Sequence, residues 1–395
     1  MQPKTIPRMP QPIPKKIANN NPEFVQKPYN TLLIDGSNLL EVCFRACRQF
    51  NSDDVNVGAV FEFLLQVKLL LRLANFRHVY CFFDGTQSGL LRYQECADYK
   101  ANRDKTFSDA ELSDYMKEVN AMVRVMMSKA KQKKPNKTPD EFEDFSRQRD
   151  IVIQCLEELF VRVVMCDYTE ADDCIGYYVS KMEPNERVVI CSNDRDLTQL
   201  ISDRVIIYMQ SKKCFVNRHN HKELMGYDYH NVVLKKVICG DVSDNIKGIK
   251  GVGEKTLFDN FPEIRDREVG LDEVISKAKL INEQRMSQKK KPLKWAENIV
   301  NKVTDSVTGD RIYEINKKII DLSNPLMPYD AKELLDMYIH MPMDPDGRSF
   351  ENLYRILSDN KIDNLTDDRT FSNFFTEYKN LEVSEKNFFR KFSEK

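Results

Sequence analysis

Four short apolar runs, each followed within a few positions by carboxylates, constrain this chain more than any other feature. The runs are TLLID (31–35), HVYCFF (78–83), VRVVMC (161–166) and VVIC (188–191). Runs of this length, rich in β-branched and aromatic residues, read as buried strands. Helical apolar spacing between them, as at 61–74, gives the alternation of an α/β fold with a central, mostly parallel sheet flanked by helices. In such a sheet successive strands put their carboxyl ends on one edge, where ligands bind. Asp35 and Asp84 follow the first two runs, Glu170, Asp172 and Asp173 the third, and Asp194 and Asp196 the fourth. All are expected at that one edge.

Crowded carboxylates repel one another, so either some protonate or a cation neutralises them. Oxygen-only donors favour a hard ion, Mg²⁺ or Mn²⁺. A single acid at a helix start would merely complement the helix dipole, but acids at four adjacent strand ends exceed that need. Zinc chemistry is disfavoured: the ten cysteines form no CxxC pair, and the five histidines no HExxH. Such scattered cysteines suit reduced thiols in a cytosolic protein. The formal net charge of -1 says nothing about a nucleic-acid partner, so the distribution of charge matters more than its sum. No apolar run approaches the roughly 20 residues of a membrane span, and the amino terminus lacks a signal-peptide core. A cytoplasmic protein without membrane contact is expected.

Two further stretches carry chemistry. After Asp84 comes TQSGLLRYQECADYKANRD, which sets Arg92, Lys100 and Arg103 among Tyr93 and Tyr99. Farther on, GDVSDNIKGIKGVGEKT places Asp241 and Asp244 before Gly248, Gly251 and Gly253. Glycines so interleaved with Ile249 and Val252 suit a tight turn between helices, with backbone amides free for a phosphate.

Taken in order, FDG, the arginine, the YKxxR string, EADD, SNDRD and GDVSDNIKGIKGVG resemble the motifs of the 5′-nuclease superfamily, which includes the exonuclease domain of bacterial DNA polymerase I, phage 5′-exonucleases and flap endonucleases. The resemblance covers 31–261. The size and the unmatched carboxyl-terminal part are similar to the phage branch, of the ribonuclease H type.

The resemblance implies a PIN-like 5′-nuclease fold with a helical arch and a helix-three-turn-helix element. It also implies two-metal hydrolysis on the 5′ side of branched or flapped DNA and of RNA-DNA duplexes. Asp35, Asp84, Glu170, Asp172 and Asp173 would hold one Mg²⁺ position, and Asp194, Asp196, Asp241 and Asp244 would hold a second or orient it through bound water, with Mn²⁺ able to substitute. Arg92 and Lys100 would face the scissile phosphate, Tyr99 stack on a terminal base, and Arg103 either contact phosphate or pair with a neighbouring acid. Lys247, Gly248, Lys250, Gly251, Gly253 and Lys255 would hold the duplex backbone, with a K⁺ ion on main-chain carbonyls nearby.

The implied organisation is a Pro-rich basic tail (1–28), a nuclease domain (29–220) with its arch at about 104–150, a duplex-binding helical domain (221–340) and a carboxyl-terminal helical extension (341–395). The tail holds seven of the sixteen prolines and cannot bury a core. In the arch, Arg124, Lys129, Lys131, Lys133, Lys134 and Lys137 form an acid-free basic run suited to single-stranded phosphates. QRMSQKKKPLK (284–294) is a basic loop that either extends the duplex surface or is merely solvated. Paired phenylalanines at 374–375 and 388–389 serve either the core, the expected role of the first pair, or docking to a sliding clamp or single-strand-binding protein. A monomer is expected.

Two other readings fit parts of the pattern. A non-catalytic DNA-binding protein would have no reason to gather nine carboxylates beside phosphate. A PIN-type ribonuclease would share the acidic edge but lack GDVSDNIKGIKGVG.

Overall fold

The computed structural model describes residues 29–96, 99–100, 138–303 and 312–394. The tail 1–28 and most of the expected arch, including Arg103, Arg124, Lys129, Lys131, Lys133, Lys134 and Lys137, lie outside the described residues.

Six strands make the central sheet: β1 (Thr31–Asp35), β2 (His78–Asp84), β3 (Arg162–Cys166), β4 (Val188–Cys191), β5 (Val205–Met209) and β6 (Cys214–Val216). Their order is β3-β2-β1-β4-β5-β6. β1 to β5 are parallel, and β6 closes one edge antiparallel to β5. The chain builds outward from β1 through β2 to β3 and then returns to lay β4 on the other side of β1. This reversal creates a crevice beyond the carboxyl ends of β1 and β4, the place where open α/β sheets bind ligands.

Strand residues alternate between two cores. Leu32, Ile34, Val79, Cys81 and Phe83 pack on one face, and Leu33, Tyr80, Phe82, Val188 and Ile190 on the other. Both faces are covered, which explains why these strands read as unbroken apolar runs.

Helices α1 (Gly36–Ala46), α2 (Gly58–Leu71), α3 (Leu90–Glu95), α4 (Pro139–Glu158) and α5 (Ala171–Lys181) accompany the first four strands. α4 starts with a complete capping box, Thr138 with Glu141, and a proline in its first turn. The helical part that follows contains α6 (His221–Met225), α7 (Val232–Cys239), α8 (Glu254–Asn260), α9 (Leu271–Ser287), α10 (Lys294–Asn301) and α11 (Ile312–Ile320), with a two-stranded ribbon of β7 (Gly240–Asp241) and β8 (Ile246–Lys247). It has its own core, including Ile238, Val252, Phe261, Val274 and Ile299. Tyr93 and Tyr99 from the nuclease side enter that same core.

α12 (Tyr329–His340) packs Ala331 and Leu335 on the second sheet face. α13 (Phe350–Asp359), α14 (Asp368–Phe374) and α15 (Thr376–Ser393) return to the first face through Leu353, Leu357, Phe374, Phe375 and Tyr378. The 374–375 pair is therefore core, while Phe388 packs edge-on against His78 of β2 at 5.1 Å. Among the described residues, no helix is long and apolar enough to cross a membrane.

Candidate active site at the carboxyl edge of the sheet

The acids stand at or just beyond the ends of strands or at the start of a helix, with Asp244 in the turn between β7 and β8. Asp35 ends β1 and caps α1: its carboxylate accepts the Asn38 amide at 3.0 Å and the Ser192 hydroxyl at 2.7 Å. Ser192 also accepts the Asp194 amide at 2.9 Å, and Asp194 in turn accepts the Asp196 amide at 2.8 Å. One hydroxyl thus links the β1 and β4 acids across the crevice. Asp84, at the end of β2, accepts the Ala171 amide at 2.9 Å and thereby fixes the start of α5, where Glu170 and Asp172 stand.

The electrostatics are those of a crowded acidic site. Burial, together with the charges of Asp84 and Asp194, pushes Asp35 up to about 7 against its hydrogen bonds from Asn38 and Ser192. Burial and the neighbouring Asp194, Asp35, Glu170 and Asp196 push Asp172 well above the ordinary range. Asp196 is raised to about 6 by burial and by Asp194, against the pull of Lys236. Asp196, Asp241 and Asp244 offer oxygens within 4.8 Å of one another. Oxygen-only donors held this close, with Asp35, Asp172 and Asp196 resisting ionisation unless a cation joins them, fit a hard divalent ion.

Three expectations are revised by the geometry. Asp173, expected at a metal, is fully buried and pairs with Arg92, while also accepting the Leu326 amide at 3.1 Å. Arg92, expected at the scissile phosphate, is itself buried: it spends its guanidinium on Asp173 and on the Ile319 carbonyl at 3.0 Å, and lies 3.2 Å from Glu170. A guanidinium that spends these donors inside the protein and is 5% exposed is held as part of the cleft wall, with Asp173 as its partner. Tyr99, expected to stack on a base, is 2% exposed and donates its hydroxyl to Glu170 at 2.8 Å. Its ring packs edge-on against Tyr93 at 5.8 Å, so a base cannot reach it in this arrangement.

Lys100 stays at the acids. Its Nζ is 2.7 Å from Glu170, and its amide donates to the Asp244 carbonyl at 2.7 Å. Burial presses its pKa down, but Glu170 overrides this and keeps the ammonium charged. That one residue ties the strand-end acids to the GDVSDN segment.

Sequence reasoning missed Lys236 on α7. Its ammonium bonds to Asp196 and, at 2.5 Å, to Asp241, and Asp241 also accepts the Ser243 amide and hydroxyl. Although burial acts upward, these donors hold Asp241 at about 2. The available signal was a pair of lysines, Lys235 and Lys236, five to six residues before Asp241 in an otherwise apolar helix, VVLKKVIC.

In the glycine-rich turn, the Ile249, Lys250 and Val252 amides donate to Ile238, Val303 and Ile249 carbonyls, so these amides are not free for a phosphate as expected. Gly248 is required by a backbone crossing, since a Cβ there would lie 2.1 Å from the Cys239 carbonyl carbon, and Gly251 has φ +83°. Lys247, Lys250, Gly251, Gly253 and Lys255 are all exposed around that turn.

Residues 30–228 match the sequence profile described as "5'-3' exonuclease, N-terminal resolvase-like domain". The chain belongs to the 5′-3′ exonuclease family. Relatives include the 5'-3' exonuclease of Buchnera aphidicola subsp. Schizaphis graminum, 26% identical over 241 residues that span 60% of this chain and 71% of that one. DNA polymerase I of Bacillus subtilis is 26% identical over 255 residues, 62% of this chain but only 25% of the polymerase. This family member therefore spans about a quarter of the polymerases that it matches. Its fold is similar to that of a bacteriophage T5 flap endonuclease solved with DNA and metal ions, with a TM-score of 0.51, 17% identity and coverage of 84% of this chain and 99% of that one. This 5′-3′ exonuclease family member thus carries its acids where the fold concentrates ligands.

Proposed function

We propose that this protein is a structure-specific, divalent-metal-dependent 5′-3′ exonuclease and 5′-flap endonuclease. Its substrates are branched or flapped DNA and RNA-DNA primers, as in ribonuclease H-like primer removal during replication or repair. The observation that carries the reading is one cleft lined by Glu170, Asp172, Asp194, Asp196 and Asp244 beside Lys100, with Asp35, Asp84 and Asp241 tied to it through Ser192, the Ala171 amide and Lys236.

In this reading Asp35, Asp84, Glu170 and Asp172 hold one ion, and Asp194, Asp196, Asp241 and Asp244 hold or orient a second. When bound, two Mg²⁺ ions, or Mn²⁺ in their place, supply an activated water and neutralise the leaving oxygen. Lys100 places a fixed positive charge where phosphate charge grows in the transition state. Asp173 and Arg92 hold the frame of α3 and α5 rather than touching substrate. Residues 29–220 act as the nuclease domain, about 104–150 as the arch, and 221–340 as the duplex-binding domain, where K⁺ on main-chain carbonyls would assist. Residues 341–395 brace the sheet. The protein works as a monomer in the cytoplasm, with a sliding clamp or single-strand-binding protein as its replication partner.

The test is cleavage of a 5′-labelled forked DNA and of an RNA-primed duplex, each in Mg²⁺ and in EDTA. Short 5′ products that require Mg²⁺ and vanish in Asp194→Asn are expected, with DNA binding retained. Cleavage at the wild-type rate by Asp194→Asn would refute the metal-site assignment. Tight binding without any cut by the wild type would refute catalysis.

A further inference from the structure

The tip between α9 and α10 carries Arg285, Lys289, Lys290, Lys291 and Lys294 with no acid from 284 to 294. The tip is built rather than loose. The buried Asn282 accepts the Leu293 amide at 2.7 Å and donates to the Leu293 carbonyl at 3.2 Å. Arg285 donates to the Lys291 carbonyl at 3.0 Å, and its own carbonyl accepts the Lys290 amide at 2.8 Å. Lys289 turns the chain with φ +57°.

These bonds hold four exposed lysines on one rigid turn. Among the described residues, Lys289, Lys290 and Lys291 have no carboxylate partner, and Lys294 has only a 3.5 Å pairing with Glu297 while 83% exposed. Like charges fixed side by side repel, so this arrangement does not serve the stability of the protein. It does suit a polyanion.

α10, into which the tip leads, packs against the glycine-rich turn. The Asn298 amide group donates to the Lys250 carbonyl at 2.7 Å, and the Lys250 amide donates to the Val303 carbonyl at 2.8 Å. A Cβ on Gly251 would lie 3.6 Å from that of Trp295, the residue next to Lys294. The basic tip and the exposed Lys247, Lys250 and Lys255 therefore stand on adjoining parts of one subdomain. A duplex laid on the turn presents further phosphates along its length.

We infer that Lys289, Lys290, Lys291 and Lys294 form a second phosphate-contact surface that lengthens the duplex footprint beyond the 247–255 turn. The inference rests on the reading that this subdomain grips duplex DNA. It reads no sequence, since phosphate contacts position a protein without specifying bases.

The test compares the full chain with the variant carrying Lys289→Ala, Lys290→Ala and Lys291→Ala. Binding to flapped DNA with a long and a short duplex arm is followed by fluorescence anisotropy in EDTA, from 50 to about 200 mM salt. Each lost phosphate contact removes about 0.9 from the slope of log K against log salt, so the variant should lose roughly 2 to 3 from the slope on the long arm. On the short arm, wild type and variant should bind alike. The variant should unfold at the wild-type temperature; if it does not fold, the Lys289→Gln, Lys290→Gln and Lys291→Gln variant takes its place and is expected to show the same loss. An unchanged slope on the long arm, with the wild type still binding duplex, overturns this inference alone, as does an equal loss on both arms. Wild-type protein that binds no duplex overturns the inference and the duplex-gripping reading together.

Discussion

The Arg92 guanidinium holds the Asp173 carboxylate through both of its terminal nitrogens, and the two side chains are 6% and 0% exposed. Through the Ile319 carbonyl the same arginine joins α3 and α5 to α11. Breaking a buried pair by removing one partner leaves an uncompensated charge, at a cost of about 3–5 kcal/mol. Arg92→Ala and Asp173→Ala are each expected to lose that much in urea unfolding. If Asp173→Ala instead kept wild-type stability and lost only metal affinity, Asp173 would be a ligand after all.

Lys236 occupies the space between Asp196 and Asp241, where its charge would compete with a divalent ion. On the proposed two-ion reading, Lys236→Met should therefore raise the affinity for the weaker Mn²⁺ by about tenfold or more, since removing roughly 1.4 kcal/mol of repulsion suffices. The metal-free variant should melt lower, because Asp196, Asp241 and Asp244 would then repel unopposed. Calorimetric Mn²⁺ titration checks the first point, and a lower Mn²⁺ affinity in the variant would contradict it.

Stability without metal should fall as pH rises. Asp35 and Asp196 are raised from the ordinary aspartate value of 3.8 to about 7 and about 6, chiefly by burial. The folded state thus binds more protons than the unfolded one across that window. Their contribution is fully present below pH 3.8 and is lost as pH rises through about 6 and about 7. Asp241, lowered to about 2, acts the other way, and its contribution is lost only as pH falls below 3.8 toward 2. The melting temperature in EDTA should therefore decline from pH 4 to pH 7, less steeply in Asp35→Asn, and Mg²⁺ should restore it at neutral pH. A metal-free melting temperature that climbs over this window in wild type and Asp35→Asn alike would refute the assignment.

The carboxyl-terminal helix is pinned to the nuclease sheet by a buried charge cluster. Glu385 on α15 pairs with Arg162 of β3 at 2.6 Å and with His78 of β2 at 2.9 Å. Arg162 also donates to the Tyr338 and Met341 carbonyls at 2.9 and 2.6 Å. Glu385→Ala should cost about 3–5 kcal/mol in unfolding free energy and expose α15 to proteolysis. Wild-type resistance to protease would show that the helix is held by its apolar contacts alone.

The strands and the acids at their ends were legible in the sequence because both are local properties. An apolar run of TLLID or VVIC type requires burial wherever it lies, and parallel strands bring their carboxyl ends to one edge. The partners of individual side chains were not legible. Asp172 and Asp173 are neighbours in EADD, yet about 100° of helix rotation turns one toward the acidic cleft and the other into the grip of Arg92. Tyr99 and Lys236 likewise take their roles from residues 71 and 40 positions away. Sequence alone determined which elements form and that the acids gather; tertiary structure decided which charges face the cleft and which are neutralised, because pairing depends on distance and burial across elements that the chain brings together only on folding.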